Sequence, residues 1–291
     1  MRQVVPDAEL TGPVTCCWYF YWNSAAGKAD KLQHGGQDFL PWFLDQVRKH
    51  DELAGMQSLN VLDIHYYPAD LYNQNVDPQT AAHRLRSTRS LWDASYVDES
   101  WIKEPVYLIP RMRALIDEHY PGLRLMISEW NWGADQSMNG ALAIADVLGI
   151  FGREELYSAA YWTYPKLNSP GFYAFKMYTN YDDQGSRFGG ADGGSSIQAS
   201  SDDPSWVTSY AAMNSAGNQL YLMLINKDPE QVATTKIALD GFPYQPSAEL
   251  YRYGNDNSNG VRQDQFLAQS GDLRLTLPAY SITLLVLDRA E

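Results

Sequence analysis

Apolar and polar positions follow a different period before and after about residue 185. In the first part, short apolar runs typical of buried strands alternate with segments that have helical spacing. Alternation of this kind predicts a parallel sheet covered by helices. The predicted strands are 15–21, 61–67, 123–129 and 157–162, and the predicted helical segments are 38–53, 81–90, 106–119, 140–151 and the amphipathic stretch 172–181.

After a Gly/Ser/Asp-rich stretch at 189–196, the pattern becomes the two-residue alternation of half-buried strands. The clearest predicted strands are 220–225 and 276–287, and 255–260 is predicted to be a loop between two more. We therefore expect two domains: 1–184, with strands and helices, and 185–291, an all-β sandwich.

Composition and charge exclude some partners. The chain has 291 residues and a net charge of −13, from 35 acidic and 22 basic residues, so nucleic acid is not an expected partner. No apolar run reaches the ~20 residues that span a bilayer. The first residues also lack the apolar core of a signal peptide, so we expect no membrane insertion.

The first candidate catalytic residue is Glu129. It follows the apolar run 123–127 and stands in the segment Ser128-Glu129-Trp130-Asn131-Trp132-Gly133. A carboxylate at the end of a buried strand is costly unless it has a partner or a function. In α/β barrels the carboxyl ends of the strands carry the active site. Indole rings beside a carboxylate form a slot for a sugar ring. Glu129 is therefore predicted to be the nucleophile of a glycoside hydrolase, with a structurally paired carboxylate as the alternative.

Side-chain parity selects further candidates. Glu129 is expected to share a face with Leu125 and Ile127. On the preceding strand, Asp63, His65 and Tyr67 share a face that is too polar to pack against helices, so they should point toward the active site. A buried His–Asp pair would explain this face equally well.

Tryptophans supply the expected sugar contacts. Trp162 ends the fourth predicted strand, on the face of Ser158 and Ala160, and suits the floor of a sugar subsite. Trp132 is a second candidate, and Trp18 is either a third or part of the core.

No cofactor is implied. The five His residues have no metal-ligand spacing. Cys16 and Cys17 are adjacent, so they are expected to pack in a strand rather than form an ordinary disulfide. A structural calcium ion at Asp182-Asp183 or Asp202-Asp203 is conceivable, with a solvated turn as the alternative.

Several segments together resemble glycoside hydrolase family 44. They are GPVT (12–15), HGG (34–36), FLPWFLDQV (39–47), LDIHYYP (62–68), ISEWNWG (127–133), ADVLGIFGRE (145–154), NYD (180–182) and FG (188–189). The resemblance implies an extracellular, retaining endo-β-1,4-glucanase, often active on xyloglucan, with a (β/α)8 barrel and a β-sandwich. It also implies that Glu129 is the nucleophile, although Trp130 stands where a Tyr is common.

The resemblance also implies an acid/base Glu in an Asn-Glu-Pro-like segment, which this sequence lacks. We therefore expect an α/β plus all-β chain in which a partial (β/α)8 TIM barrel, strands 5–8, precedes the β-sandwich. Asp63 is the nearest substitute proton donor, but it lies too deep. Four parallel strands would leave two unpaired edges, so we expect self-association or a need for the N-terminal half-barrel.

The sequence thus predicts a retaining glycosidase acting on β-1,4-glucan, with xyloglucan, cellulose and xylan left open as substrates. Trp18, Tyr67, Trp132 and Trp162 would line the cleft, while His65 and Asn131 would form hydrogen bonds near Glu129. The alternatives are a non-catalytic glucan-binding fragment and an incomplete open reading frame with no function of its own.

Overall fold

The chain forms two compact units, each assembled from three separate segments. The computed structural model describes residues 4–5, 7–268 and 273–290. The first unit comprises Met1–Asp70, Arg89–Asn131 and Leu156–Thr163, and the second comprises Leu71–Thr88, Trp132–Glu155 and Tyr164–Glu291. The domain boundary between residues 184 and 185 stays a prediction.

Helices and strands alternate in the first part of the chain, and strands dominate the second. In the described residues the helices are α1 (Cys17–Trp22), α2 (Lys28–Gln33), α3 (Phe39–Ala54), α4 (Pro78–Ser87), α5 (Leu108–His119), α6 (Met138–Arg153) and α7 (Pro170–Thr179). The strands are β1 (Thr11–Cys16), β2 (Val61–Tyr66), β3 (Arg124–Trp130), β4 (Ser158–Tyr161), β5 (Gly194–Ile197), β6 (Val207–Asn214), β7 (Gln219–Asn226), β8 (Ala233–Ile237), β9 (Tyr244–Gly254), β10 (Asn257–Leu267), β11 (Leu273–Leu277) and β12 (Ser281–Arg289). None of these helices is long and apolar enough to cross a bilayer.

The first unit contains a sheet of four parallel strands in the order β1-β2-β3-β4. One face is fully apolar in its middle, where Leu62 pairs with Leu125 and Ile64 with Ile127, all of them buried. The predicted strands 61–67 and 123–129 and the predicted parallel arrangement are confirmed. Whether the sheet is half of an eight-stranded barrel, and whether its edges promote self-association, stay predictions.

A β-bulge near the end of β3 decides which way its last side chains point. Ile64 pairs with Ile127, but the next pair is His65 with Glu129, so Ser128 is an extra residue. Because side chains alternate along a strand, the extra residue moves Glu129 to the face opposite Ile127. The predicted parity, which placed Glu129 with Ile127, was wrong. The bulge instead puts Glu129 on the face of His65.

The first predicted strand, 15–21, was wrong from Cys17 onward, because β1 is Thr11–Cys16 and α1 begins at Cys17. Cys17 has a positive φ of 69°, which turns the chain out of the strand. This turn also removes the strand alternation that would separate the two cysteine side chains. The Sγ atoms of the two adjacent residues Cys16 and Cys17 are joined in a disulfide bond. The prediction that both cysteines pack in a strand was wrong for Cys17, which begins α1.

The second unit contains a six-stranded antiparallel sheet in the order β10-β9-β12-β7-β6-β5 and a two-stranded sheet of β11 and β8. One core cluster joins the two sheets, with Leu222 of β7, Leu250 of β9 and Leu275 of β11 among its members. The β composition predicted for this part of the chain is confirmed. The complete sandwich arrangement stays a prediction.

Two boundaries in the second unit differ from the predictions. The predicted strand 276–287 is two strands, because the chain turns between Leu277 and Ser281, where Pro278 lacks an N–H and Tyr280 has a φ of 43°. The predicted loop 255–260 is shorter, since β10 begins at Asn257. β10 is an edge strand of the six-stranded sheet, and most of its residues are polar, as is common at sheet edges. A search for hydrophobic alternation therefore does not identify it as a strand.

Candidate active site

The carboxylate of Glu129 lies at the carboxyl end of β3, beside the end of β2. Its Oε2 accepts a hydrogen bond from the Tyr67 hydroxyl at 2.9 Å and lies 3.1 Å from His65 Nδ1. The Glu129 side chain is 26% exposed, so it is open to a ligand. His65 and Tyr67 thus lie beside Glu129, and both contacts fall on one carboxylate oxygen. The catalytic and binding roles predicted for the three residues stay predictions.

The backbone of His65 accepts a hydrogen bond from a residue that the sequence analysis missed. The hydroxyl of Tyr21, on α1, donates to the backbone oxygen of His65. Burial raises the pKa of Tyr21 well above its usual value, so the hydroxyl remains protonated and remains a donor. Helix α1 is thereby attached to the strand that carries the contacts to Glu129.

Asp63 has a supporting position below Glu129. It is 2% exposed, and its Oδ1 accepts from the backbone N–H of Ser128 at 3.2 Å while its Oδ2 accepts from Thr11 Oγ1 at 3.0 Å. Ser128 is the extra residue of the bulge, and a bulge leaves its extra residue unpaired in the ladder. Asp63 supplies the missing acceptor. Its burial and its two donors argue against the hypothesis that it protonates a substrate.

Asn131, directly after β3, and Trp162, directly after β4, are in contact just beyond the carboxyl ends of these two strands. The Asn131 side-chain amide donates to the backbone oxygen of Trp162, and the Trp162 N–H donates to the backbone oxygen of Trp130 at 3.1 Å. Asn131 is buried, which contradicts the expectation that it binds substrate beside Glu129. The indole of Trp162 is 47% exposed and has surface available for stacking, as its predicted role requires.

Two predicted cleft residues are core residues instead. Trp18 is 7% exposed, and the Arg111 guanidinium lies 5.3 Å from the centroid of its ring. Trp132, in the second unit, is fully buried, and its Nε1 donates to Ser87 Oγ at 3.0 Å. A sugar ring cannot stack on a buried indole, so the prediction that Trp18 and Trp132 line the cleft was wrong. Tryptophan suits both environments, and the sequence does not separate them.

The acidic pairs predicted as alternative calcium sites lie in turns. The Asp182 carboxylate accepts from the backbone N–H groups of Gln184 and Ser186, and the Asp203 carboxylate accepts from the N–H of Ser205. Among residues 4–5, 7–268 and 273–290, no group of three or more His, Cys, Asp or Glu side chains has the arrangement of a metal site.

Comparison with known proteins gives consistent matches. The family model for glycoside hydrolase family 44 matches residues 1–70. Endoglucanase A of Paenibacillus lautus is 31% identical over 99% of this chain and 42% of its own length. Among solved structures, the bifunctional glucanase-xylanase CelM2 from a metagenome library has a TM-score of 0.92 and 37% identity, over 99% of this chain and 57% of that one. A family 44 xyloglucanase of Paenibacillus polymyxa, solved with xyloglucan, has a TM-score of 0.89 and 26% identity, over 99% of this chain and 58% of that one.

The carboxylate of Glu129 lies at the carboxyl end of a parallel strand, which is where α/β barrels carry their active sites. This chain spans about half the length of the relatives that it matches. Over that span, its sequence and its fold are similar to those of glycoside hydrolase family 44.

Proposed function

We propose that this chain carries the nucleophile of a retaining endo-β-1,4-glucanase, and that the nucleophile is Glu129. The observation that supports this most is the position of Oε2, which is held by Tyr67 and faces His65 Nδ1. With the proton of the imidazole on Nδ1, both groups donate to the same oxygen. The second oxygen, Oε1, is then the atom available to attack.

The proposed first step is attack by Oε1 of Glu129 on the anomeric carbon. A glycosidic C–O bond breaks, its electron pair goes to the leaving oxygen, and a covalent glycosyl-enzyme ester forms. In the second step, water attacks the same carbon and releases Glu129, which restores the original anomeric configuration. Tyr67 and His65 fix the carboxylate in one orientation through both steps.

The leaving oxygen also needs a proton. The described residues that contact the Glu129 carboxylate are Tyr67 and His65, and neither is a carboxylic acid. Retaining enzymes place the two carboxyl groups about 5–5.5 Å apart. The proposal therefore assigns the proton donor to a Glu carboxyl group outside this chain, as the resemblance to the family implies.

The proposed substrate is a β-1,4-glucan of the plant cell wall. Relatives bear the names endoglucanase, glucanase-xylanase and xyloglucanase, which keeps cellulose, xyloglucan and xylan as candidates. The exposed ring of Trp162 provides a stacking surface for a neutral sugar. Polysaccharides of this kind lie outside the cell, so the proposed location is extracellular.

A second candidate function is glucan binding without turnover. It is favoured by one observation, the lack of a second carboxyl group among the described contacts of Glu129. Binding of soluble xyloglucan that is unchanged by Glu129→Gln, with no new reducing ends, would support it.

The test uses an activated substrate, because a good leaving group departs without a proton donor. We expect the chain to release one equivalent of dinitrophenolate from 2,4-dinitrophenyl β-cellobioside in a burst and to gain the mass of one cellobiosyl group. Glu129→Gln should abolish both signals. Glu52→Gln, at an exposed position of α3, is the matched control and should keep both. A burst that survives Glu129→Gln would overturn the assignment of the nucleophile.

A further inference from the structure

A partly open recess lies in the first unit, in the segment between β1 and α3. The residues assigned to the proposed reaction do not include those that line it. Its aromatic walls are Trp22, at the end of α1, and Phe39 and Trp42, in the first turn of α3. Rings on several sides of a small cavity favour a ligand with flat apolar faces.

The His34-Gly35-Gly36 segment shapes this cavity. Gly35 and Gly36 both have positive φ, at 71° and 79°, and the N–H of Gly36 donates to the Lys31 backbone oxygen at 2.8 Å. Two consecutive residues in this region turn the chain sharply, which glycine permits at little cost. The turn places the ring of His34 with its centroid 4.3 Å from that of Trp42.

The polar groups of the cavity hold one another in place. Asp30 accepts from Ser24 Oγ at 2.5 Å and lies 3.4 Å from His34 Nε2. Gln37 Nε2 donates to Asp45 at 2.8 Å. Side chains fixed in this way are ready to exchange hydrogen bonds with a ligand at a small entropy cost. Lys31 pairs with Asp38, so the cavity has no excess of positive charge to attract an anion.

The cavity and Glu129 belong to the same end of the parallel sheet. The segment that lines the cavity leaves the carboxyl end of β1, and Glu129 lies at the carboxyl end of β3. Tyr21 directly precedes Trp22 and donates to the backbone oxygen of His65, which in turn contacts Glu129. One wall of the cavity is therefore attached to the strand that positions the nucleophile.

We propose that this cavity is an accessory subsite for one neutral pyranose residue of the polysaccharide that is bound at Glu129. Flat C–H faces would stack on the indoles, and hydroxyls would bond to the Asp30, His34 and Gln37 network. The proposal rests on the proposed function, and the ring belongs either to the glucan backbone or to a branch.

The experiment records indole N–H signals of the nine tryptophans in the full chain carrying Glu129→Gln. Cellohexaose and a xylose-branched oligosaccharide with the same backbone are titrated in turn. We expect the signals of Trp22 and Trp42 to shift on binding. If the bound sugar ring is a xylose branch, only the branched ligand should shift them. If it is a glucose of the backbone, both ligands should shift them. Trp42→Ala should weaken binding about tenfold, as loss of a central aromatic contact does. Trp206→Ala, at an exposed position of the second unit, should leave affinity unchanged.

Each other outcome has a definite meaning. A shift of Trp162 without any shift of Trp22 and Trp42 overturns the accessory subsite and leaves the proposed function standing. Shifts of Trp22 and Trp42 without a dinitrophenolate burst from the unsubstituted chain support the subsite and count against the function. No shift at any indole, or full affinity in a folded Trp42→Ala chain, overturns the subsite. Circular dichroism establishes folding, and Trp42→Phe keeps an aromatic wall if the alanine variant fails to fold.

Discussion

Lys227 Nζ lies 2.7 Å from Asp146 Oδ2 in the second unit, and both side chains are almost fully buried. Asp146 stands in the mainly apolar helix α6 and also accepts hydrogen bonds from the hydroxyls of Thr88, Thr208 and Tyr210. Burial by itself raises the pKa of Asp146, but the Lys227 charge and the hydroxyl donors outweigh it and lower the pKa. The cluster therefore holds a charged carboxylate inside the core.

Removing the cation from this cluster should destabilise the chain. Lys227→Met leaves the Asp146 charge buried without its counter-ion, which costs about 3–5 kcal/mol. Lys176→Met is the matched control, because Lys176 pairs with the exposed Asp183 and a surface pair contributes about 0–1 kcal/mol. Urea unfolding measures both, and equal losses would contradict the importance of the buried pair.

The stability of the first unit should depend on pH through Asp51. Burial raises the pKa of Asp51, but hydrogen bonds from Ser58 and Tyr120 outweigh it and lower the pKa to about 2. A carboxyl whose pKa is lower in the folded state stabilises the fold above its unfolded pKa. That contribution, about 2 kcal/mol, is lost as the pH falls from about 4 to about 2.

Asp51→Asn tests this dependence. The variant should be less stable than the original chain at pH 7, and the difference should shrink as the pH falls below about 4. Asp117→Asn changes an exposed carboxylate on α5 and serves as the control. Urea unfolding at several pH values gives the comparison, and a constant difference from pH 7 to pH 2 would argue against the role of the ionised carboxylate.

Gly133→Ala and Gly152→Ala should have opposite effects on stability. Gly133 has a φ of 71°, and an added Cβ would lie 2.4 Å from the backbone oxygens of Leu71 and Asn73, so the substitution should severely destabilise the second unit. Gly152 lies in α6 with open space around it, so alanine should stabilise the helix by about 0.4–1 kcal/mol. Thermal unfolding distinguishes the two, and equal melting temperatures would refute the clash.

Tyr67→Phe should slow formation of the glycosyl-enzyme without changing the fold. The variant removes the hydroxyl that donates to Glu129 Oε2, and loss of a hydrogen bond to a charged group is worth about 1.5–3 kcal/mol. The burst rate with the dinitrophenyl substrate should therefore fall about tenfold or more. Tyr164→Phe, at a highly exposed position, should leave the rate unchanged. A rate that is insensitive to Tyr67→Phe would show that this contact does not orient the nucleophile.

Asp63→Ala should lower both stability and the burst rate, because the N–H of Ser128 loses its acceptor directly before Glu129. An unsatisfied buried donor costs about 1–3 kcal/mol. Asp63→Asn keeps an acceptor oxygen and should recover most of the rate. Because dinitrophenolate leaves without a proton donor, a burst rate that falls in Asp63→Ala and recovers in Asp63→Asn reports positioning of Glu129, and an equal loss in both variants would contradict that role.

The sequence was sufficient to predict those features of the fold and of the candidate site that depend on a local pattern of residues. The apolar runs identified β2 and β3, and strand ends together with polar alternation brought Glu129, His65 and Tyr67 into one prediction. Contacts between distant residues left no such signal. Asp63 was noticed as an inward carboxylate, but its hydrogen bond to Ser128 depends on a bulge that no periodicity shows.

The sequence also did not show which amphipathic and charged residues are buried. Trp18 and Trp132 have the same composition signal as the exposed Trp162, and only the folded chain separates core from surface. The Lys227–Asp146 pair joins residues 81 positions apart, one of them within an apolar helix. A charged residue in such a helix predicts a partner without identifying it.

The bulge at Ser128 makes the strand register a property of the active site in its own right. Side-chain identity at Ser128 can vary while its backbone N–H still reaches Asp63. If Ser128 instead paired with His65 in a regular ladder, every later residue of the strand would move by one position, which would turn the Glu129 carboxylate into the apolar face and the Trp130 indole toward the face of His65. The irregular pairing between Ile127 and Glu129 is therefore as much a part of the site as the carboxylate.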